Sequence, residues 1–164
     1  MKSECRIVTI GVYGFDEAVF FDTLRKANIQ LFCDVRNRRG MRGSKYAFAN
    51  STYLQKSLTQ LGVKYIHLKE LSPPPYIRKI QAQSDNELSI TKRQRKLLSS
   101  QFIHVYKTEI LDKFDFDSFF NELPENVKSI AFFCVEKEPA ACHRSIIANH
   151  LMAQYNINVE NLMP

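Results

Sequence analysis

The stretch Ser129-Ile130-Ala131-Phe132-Phe133-Cys134-Val135 carries one polar side chain in seven and no alternation of polar with apolar residues. A strand of this kind has both faces covered, as in a parallel sheet layered between helices, whereas a sheet with one wet face alternates. Three further strand candidates share the theme: Ile7 to Ile10, closed by Gly11, then Ile29 to Val35, then Val63 to Leu68. Between them lie segments with helical spacing. Phe15 to Ala27 has apolar residues at 15, 19, 20, 24 and 27, and Asn50 or Ser51 is placed to cap a helix that runs to Leu61 and stops at Gly62. Phe102 to Phe114 and Asp117 to Leu123 read as helices, and Arg144 to Tyr155 presents one apolar face. Strands alternating with helices predict an α/β protein of three layers, a mostly parallel sheet with helices on both faces in the Rossmann-like manner.

At 164 residues and 45% hydrophobic content, the chain is expected to form a single domain over 1–164 around one substantial core. Ser72-Pro73-Pro74-Pro75 interrupts the alternation and reads as neither helix nor central strand, because three successive residues lack an amide donor and fix φ. A basic, proline-containing excursion is therefore expected over about 72–100. Its polar part, 84–100, has too little apolar periodicity to decide between an exposed helix and a mobile segment. The charged start, Met1-Lys2-Ser3-Glu4-Cys5-Arg6, lacks the apolar run of a signal peptide, and no stretch nears the roughly 20 apolar residues that span a bilayer. A cytoplasmic protein with no membrane partner is expected. Four scattered cysteines fit reduced thiols and not a disulfide scaffold. Nothing in the sequence fixes an oligomeric state.

The net charge of +6 conceals a split. Residues 36–107 hold fifteen Lys or Arg against three acids, Glu70, Asp85 and Glu87, while the flanks hold eight bases against fourteen acids. So strong a separation points to an anionic partner over the middle segment, a phosphorylated small molecule or nucleic acid, unless the basic face is merely solvated.

Ligands of open parallel sheets bind beyond the carboxyl ends of the strands. The polar residues there are Gly11 to Gly14, Asp34 and Arg36, His67 and Glu70, and Glu136 with Cys142-His143-Arg144. Asp34 sits inside Leu-Phe-Cys-Asp-Val, where an unpaired carboxylate is costly, so it needs a partner, with Arg36 two residues on. It either fixes the next loop through backbone amides or serves as a base or as an acid orienting Arg36. The loop that follows carries Arg36, Arg38, Arg39, Arg42 and Lys45 with two glycines and no acid, a composition suited to phosphate oxygens but without the Walker arrangement.

Cys142 precedes the last helix, where a thiolate is stabilised. Glu136 is placed to accept a proton or to hold Arg144. The Cys-x5-Arg cradle of phosphatases is absent, since position 148 is Ala. Adjacent Cys142 and His143 are poor joint ligands for one ion, so neither a metal nor another cofactor is expected. The alternatives for these residues are a packed thiol at Cys142 and a helix cap at His143.

Thr9-Ile10-Gly11, Asp34-Val35-Arg36, Leu61-Gly62-Val63 with Tyr65-Ile66-His67-Leu68, and Cys134-Val-Glu136 before Cys142-His143-Arg144-Ser145 together resemble the family catalogued as domain of unknown function 488. The resemblance covers nearly the whole chain and implies a small α/β protein, with an enzyme suggested by the shared polar motifs. Asp34, Arg36, Glu136, Cys142, His143 and Arg144 match. The turn Gly11-Val12-Tyr13-Gly14 departs from the family's small polar or His residues, and Leu71-Ser72-Pro73 from its Leu-Gly pair.

Two functions are expected to compete. One is an enzyme-like protein acting on or binding a phosphate-containing ligand, a nucleotide or nucleic-acid component, with Asp34, Glu136, Cys142 and His143 as catalytic candidates and Arg36, Arg38, Arg39, Arg42, Lys45 and Arg144 as ligand-binding ones. The other is a non-catalytic nucleic-acid-binding module that uses the basic loop and the Lys92 to Lys96 cluster. A thiol redox activity at Cys142 ranks third, since no Cys-x-x-Cys pair accompanies it.

Overall fold

A computed structural model describes residues 5–164. Five parallel strands form one sheet in the order β3-β2-β4-β1-β5, where β1 is Arg6–Ile10, β2 Leu31–Asp34, β3 Lys64–His67, β4 Ser129–Phe133 and β5 Val159–Leu162. All five positions of β4 are buried, as its unbroken apolar run predicts. The α-helices among the described residues are α1 (Glu17–Lys26), α2 (Ser51–Gln60), α3 (Pro75–Glu87), α4 (Ser100–Glu109), α5 (Phe116–Glu122) and α6 (Arg144–Tyr155).

Two cores lie on opposite faces of the sheet, which makes the architecture three-layered. On one face, Val8, Ile10, Phe32, Ala131 and Phe133 pack against Phe20 and Leu24 of α1 and Leu54 and Leu58 of α2. On the other, Ile7, Leu31, Cys33, Ile130 and Phe132 meet residues of α3 to α6, among them Ile77, Phe102, Tyr106, Phe116 and Ile147. Alternate residues of each strand serve alternate faces, the period of an extended chain.

Several local expectations are corrected. Pro75 does not exclude helix but opens α3, with Pro74 at the cap. The first helical turn has no use for its amide hydrogen, and the fixed φ of proline suits that position. Residues 84–87 complete α3, and the following segment is held by hydrogen bonds from Leu98 N to Ala140 O (3.0 Å) and from Ser99 N to Gln81 Oε1 (2.8 Å). Helix α4 ends at Glu109 and passes into a 3-10 turn over Leu111–Lys113, within the span expected to be one helix. Asn50 occupies the cap of α2, but its side chain does not cap; its Oδ1 accepts from Met41 N at 2.6 Å and ties down the basic loop. Gly62 ends that helix with φ +72°, a left-handed conformation glycine adopts without strain.

Strand β5 has no counterpart in the sequence expectations. It is a four-residue edge strand paired with β1 alone, with two of its residues exposed, so it lacks the apolar run that marks β4. Among the described residues, no helix is long and apolar enough to cross a membrane.

Candidate functional site

Connections from β2 and β4 leave in opposite directions, to β3 on one side and, past β1, to β5 on the other. The crevice between such strands, at their carboxyl ends, is where doubly wound sheets bind ligands. A cavity of about 540 Å³ lies there.

Asp34 ends β2 fully buried. Its Oδ1 accepts from Arg36 N (3.1 Å) and Nε (2.9 Å), and its Oδ2 from Arg36 Nη2 (2.7 Å) and the Tyr65 hydroxyl (2.8 Å). The acid thus fixes the loop by a backbone amide and orients Arg36 at the same time. Arg36 Nη1 reaches Ala49 O at 2.9 Å, and the guanidinium lies 4.6 Å from the centre of the Phe133 ring. A planar, bidentate pair of this kind is the geometry in which buried opposite charges satisfy one another.

Arg144, the first residue of α6, is fully buried. It donates to Thr9 Oγ1 (3.3 Å), Glu136 O (2.5 Å) and Lys137 O (3.0 Å), binding the loop after β4 to β1 and α6. Gly11 permits this close approach: a Cβ there would lie 2.0 Å from Glu136 O and 2.6 Å from Arg144 Nη1. Arg144 therefore braces the site from beneath and is not among the residues lining the cavity.

The floor of the cavity is made by Cys134, Glu136, Cys142 and His143. His143 Nε2 is 3.1 Å from Val35 O. A carbonyl only accepts, so Nε2 carries a proton and joins the 142–144 turn to the end of β2. Its Nδ1 lies 3.7 Å from Cys134 Sγ and 3.9 Å from Cys142 Sγ. Burial raises the Cys142 thiol, but its hydrogen bond with Cys134, the adjacent His143 and the Arg144 guanidinium outweigh that and hold it well below the ordinary value. Cys134 moves the opposite way, pushed well up by its hydrogen bond to Cys142 and by burial. Among the described residues no cysteine takes part in a disulfide. Burial likewise raises the Glu136 carboxyl, against the pull of Lys92. Glu136 Oε1 lies 3.1 Å from Lys92 Nζ and 3.9 Å from Arg95 Nη2. It does not pair with Arg144 through its carboxylate; only its backbone carbonyl does.

The basic loop divides. Arg38 and Arg42 line the cavity, whereas Arg39 and Lys45 do not. Arg39 turns to the Tyr65 hydroxyl at 3.5 Å, and Lys45 sits over the Tyr46 ring at 5.4 Å. His67 Nε2 meets Arg36 O at 2.7 Å and serves the loop rather than the cavity.

The opposite wall comes from residues that sequence patterning does not single out. Helix α3 buries Ile77, Gln81 and Asp85, a stripe at four-residue spacing. Gln81 Nε2 donates to Asp85 Oδ1 (2.8 Å), and Asp85 Oδ2 receives Arg95 Nη1 (2.7 Å). Two thirds of the stripe is polar, so apolar periodicity missed it; an isolated acid in a segment of bases was the available signal. Arg78 and Arg93 complete the rim, the latter over Tyr13 at 5.2 Å. In all, seven cationic side chains line the cavity against two carboxylates, Asp85 and Glu136.

Residues 17–151 match the family described as Domain of unknown function DUF488. The chain belongs to this family. The matched span contains every residue of the cavity except Tyr13, and excludes β1 and β5. No curated protein and no solved structure matches the chain.

Proposed function

We propose that this protein is an enzyme-like binder of a phosphate-bearing small molecule of nucleotide size. The cavity supports this reading: one rim is cationic, and the floor collects a carboxylate, two sulfurs and an imidazole. Its volume, about 540 Å³, falls within the range that encloses a small ligand. Arg38, Arg42 and Arg78 make no ion pair within 4.0 Å among the described residues, and their guanidinium forks suit phosphate oxygens. Tyr13 and Tyr46, whose ring centres are 5.0 Å apart, offer an aromatic wall for a base. Glu136 is the acid/base group, set at the floor below the phosphate. Asp34, Arg36 and Arg144 are positioning residues in this scheme.

Binding of inorganic pyrophosphate, nucleoside monophosphates and a single-stranded oligonucleotide, each titrated at low and moderate salt, tests the reading. A nucleotide should bind, and Arg42→Ala or Arg38→Ala should weaken it by about ten- to a hundredfold, the worth of a charge-assisted hydrogen bond. Glu136→Gln should keep that affinity while abolishing turnover. If only the oligonucleotide binds, with steep salt dependence and indifference to Glu136→Gln, the protein is a nucleic-acid module and the enzyme reading is wrong.

A further inference from the structure

At the floor of the cavity, Cys134 Sγ, Cys142 Sγ and His143 Nδ1 lie within 4.8 Å of one another, each on a buried residue. We infer that these three atoms form a zinc(II) site whose fourth position faces the cavity. The inference stands on the cluster itself and holds whether or not a phosphate-bearing ligand enters.

Three observations carry it. The first is spacing. Tetrahedral zinc, with bonds of about 2.3 Å to sulfur and about 2.0 Å to nitrogen, places sulfur and nitrogen roughly 3.6 Å apart. The two sulfur-to-nitrogen separations are 3.7 and 3.9 Å, within a few tenths of an ångström of that value, and with all three donor atoms inside 4.8 Å of one another an ion is accommodated once the two sulfurs draw together.

The second is the tautomer. Because Nε2 donates to Val35 O at 3.1 Å, neutral His143 presents an unprotonated Nδ1 to the two sulfurs. A histidine ligand is ordinarily held in this way by a carbonyl on its other nitrogen. The Tyr106 ring, edge-on at 5.5 Å, further limits rotation of the imidazole.

The third is access. All three residues line the cavity, so a donor set of two sulfurs and one nitrogen is closed on the protein side and open on the other. Three protein ligands with an open position distinguish reactive zinc sites from closed structural ones. Adjacent Cys142 and His143 converge because the backbone turns between them: Cys142 is extended (φ −133°, ψ 145°) and His143 helical (φ −61°, ψ −18°). Neighbouring side chains diverge along a uniform strand but not across such a bend.

The test uses the whole protein, stripped with a chelator and kept reduced by a phosphine, titrated with cobalt(II) as a spectroscopic stand-in and then with zinc(II). One cobalt per chain should bind, with thiolate-to-metal charge-transfer absorption and the visible bands of four-coordinate cobalt, and zinc should displace it. Cys134→Ser and His143→Gln should lose the charge-transfer band or weaken it severalfold, whereas Cys5→Ser should keep it. In wild-type protein, where misfolding of a variant is no concern, zinc should slow alkylation of Cys134 and Cys142 at least severalfold, with peptides resolved by mass spectrometry. Absence of a charge-transfer band at saturating cobalt, or a band that persists when both Cys134 and Cys142 are replaced, overturns the inference. Arg38→Ala and Arg42→Ala should leave the cobalt spectrum unchanged, so failure of phosphate binding and failure of metal binding are read separately.

Discussion

Asp34 and Arg36 illustrate what a buried charge demands of its neighbours. The carboxylate accepts four hydrogen bonds, three of them from Arg36 and one from Tyr65. Removing one partner leaves the other uncompensated in a buried site, a loss of about 3–5 kcal/mol. Arg36→Met should therefore lower the urea midpoint sharply at unchanged m-value, whereas replacing an exposed arginine such as Arg25 should cost little. Gly11→Ala belongs to the same scale. Its Cβ would meet a backbone oxygen at 2.0 Å, and backbone cannot step aside as the end of a flexible side chain does. Loss of stability should be accompanied by release of the loop after β4. The partnership of Asp34 was legible in the sequence, because a lone acid in an apolar strand requires one. The convergence on His143 was not, since it depends on a backbone bend and on the carbonyl of Val35, just past β2.

Among the elements, α3 carries the most consequence for the site. Gln81 and Asp85 of its buried stripe line the cavity, and Asp85 receives Arg95 from the following segment. That polar latch, together with buried Leu98, holds the segment 88–99 against the site. Asp85→Asn should weaken the Arg95 contact by about 1–3 kcal/mol. Hydrogen exchange should accelerate at Leu98, whose amide bonds Ala140 O, with amides of β1 and β4 little affected. Uniform acceleration across the sheet would show that the latch supports the whole fold instead. Strands β1, β2 and β4 were readable as apolar runs because burial on both faces leaves a direct mark on composition. Edge strand β5, with two exposed residues, leaves almost none.

For the molecule as a whole, the basic middle segment and the acidic flanks are brought into a definite arrangement by the crossing connections of the sheet. Part of the basic segment wraps the carboxyl end of β4, where cations outnumber acids along the cavity. An anionic ligand should accordingly associate more slowly as ionic strength rises, in stopped-flow measurements, while its dissociation changes less. Equal sensitivity of both rates would place the recognising charges elsewhere. Arg39 and Lys45 are in the same loop as Arg38 and Arg42, yet face other surfaces. Charge counted along a sequence measures how much is present, whereas its direction is a property of the folded loop.

Residue chemistry alone determined the layered parallel architecture, since an unbroken apolar strand has no stable place except between two covering layers. It also determined that Asp34, Glu136 and the 142–144 turn belong near one edge, because strand ends and their loops converge there. Tertiary structure alone decided which of these groups reach the cavity and which brace it. The reason is that hydrophobic patterning reports burial, while roles at a site rest on distances of a few ångströms between atoms far apart in the chain. Cys134, Cys142 and His143 are the clearest instance, separated by a loop in sequence and brought together only where β4 ends and α6 begins.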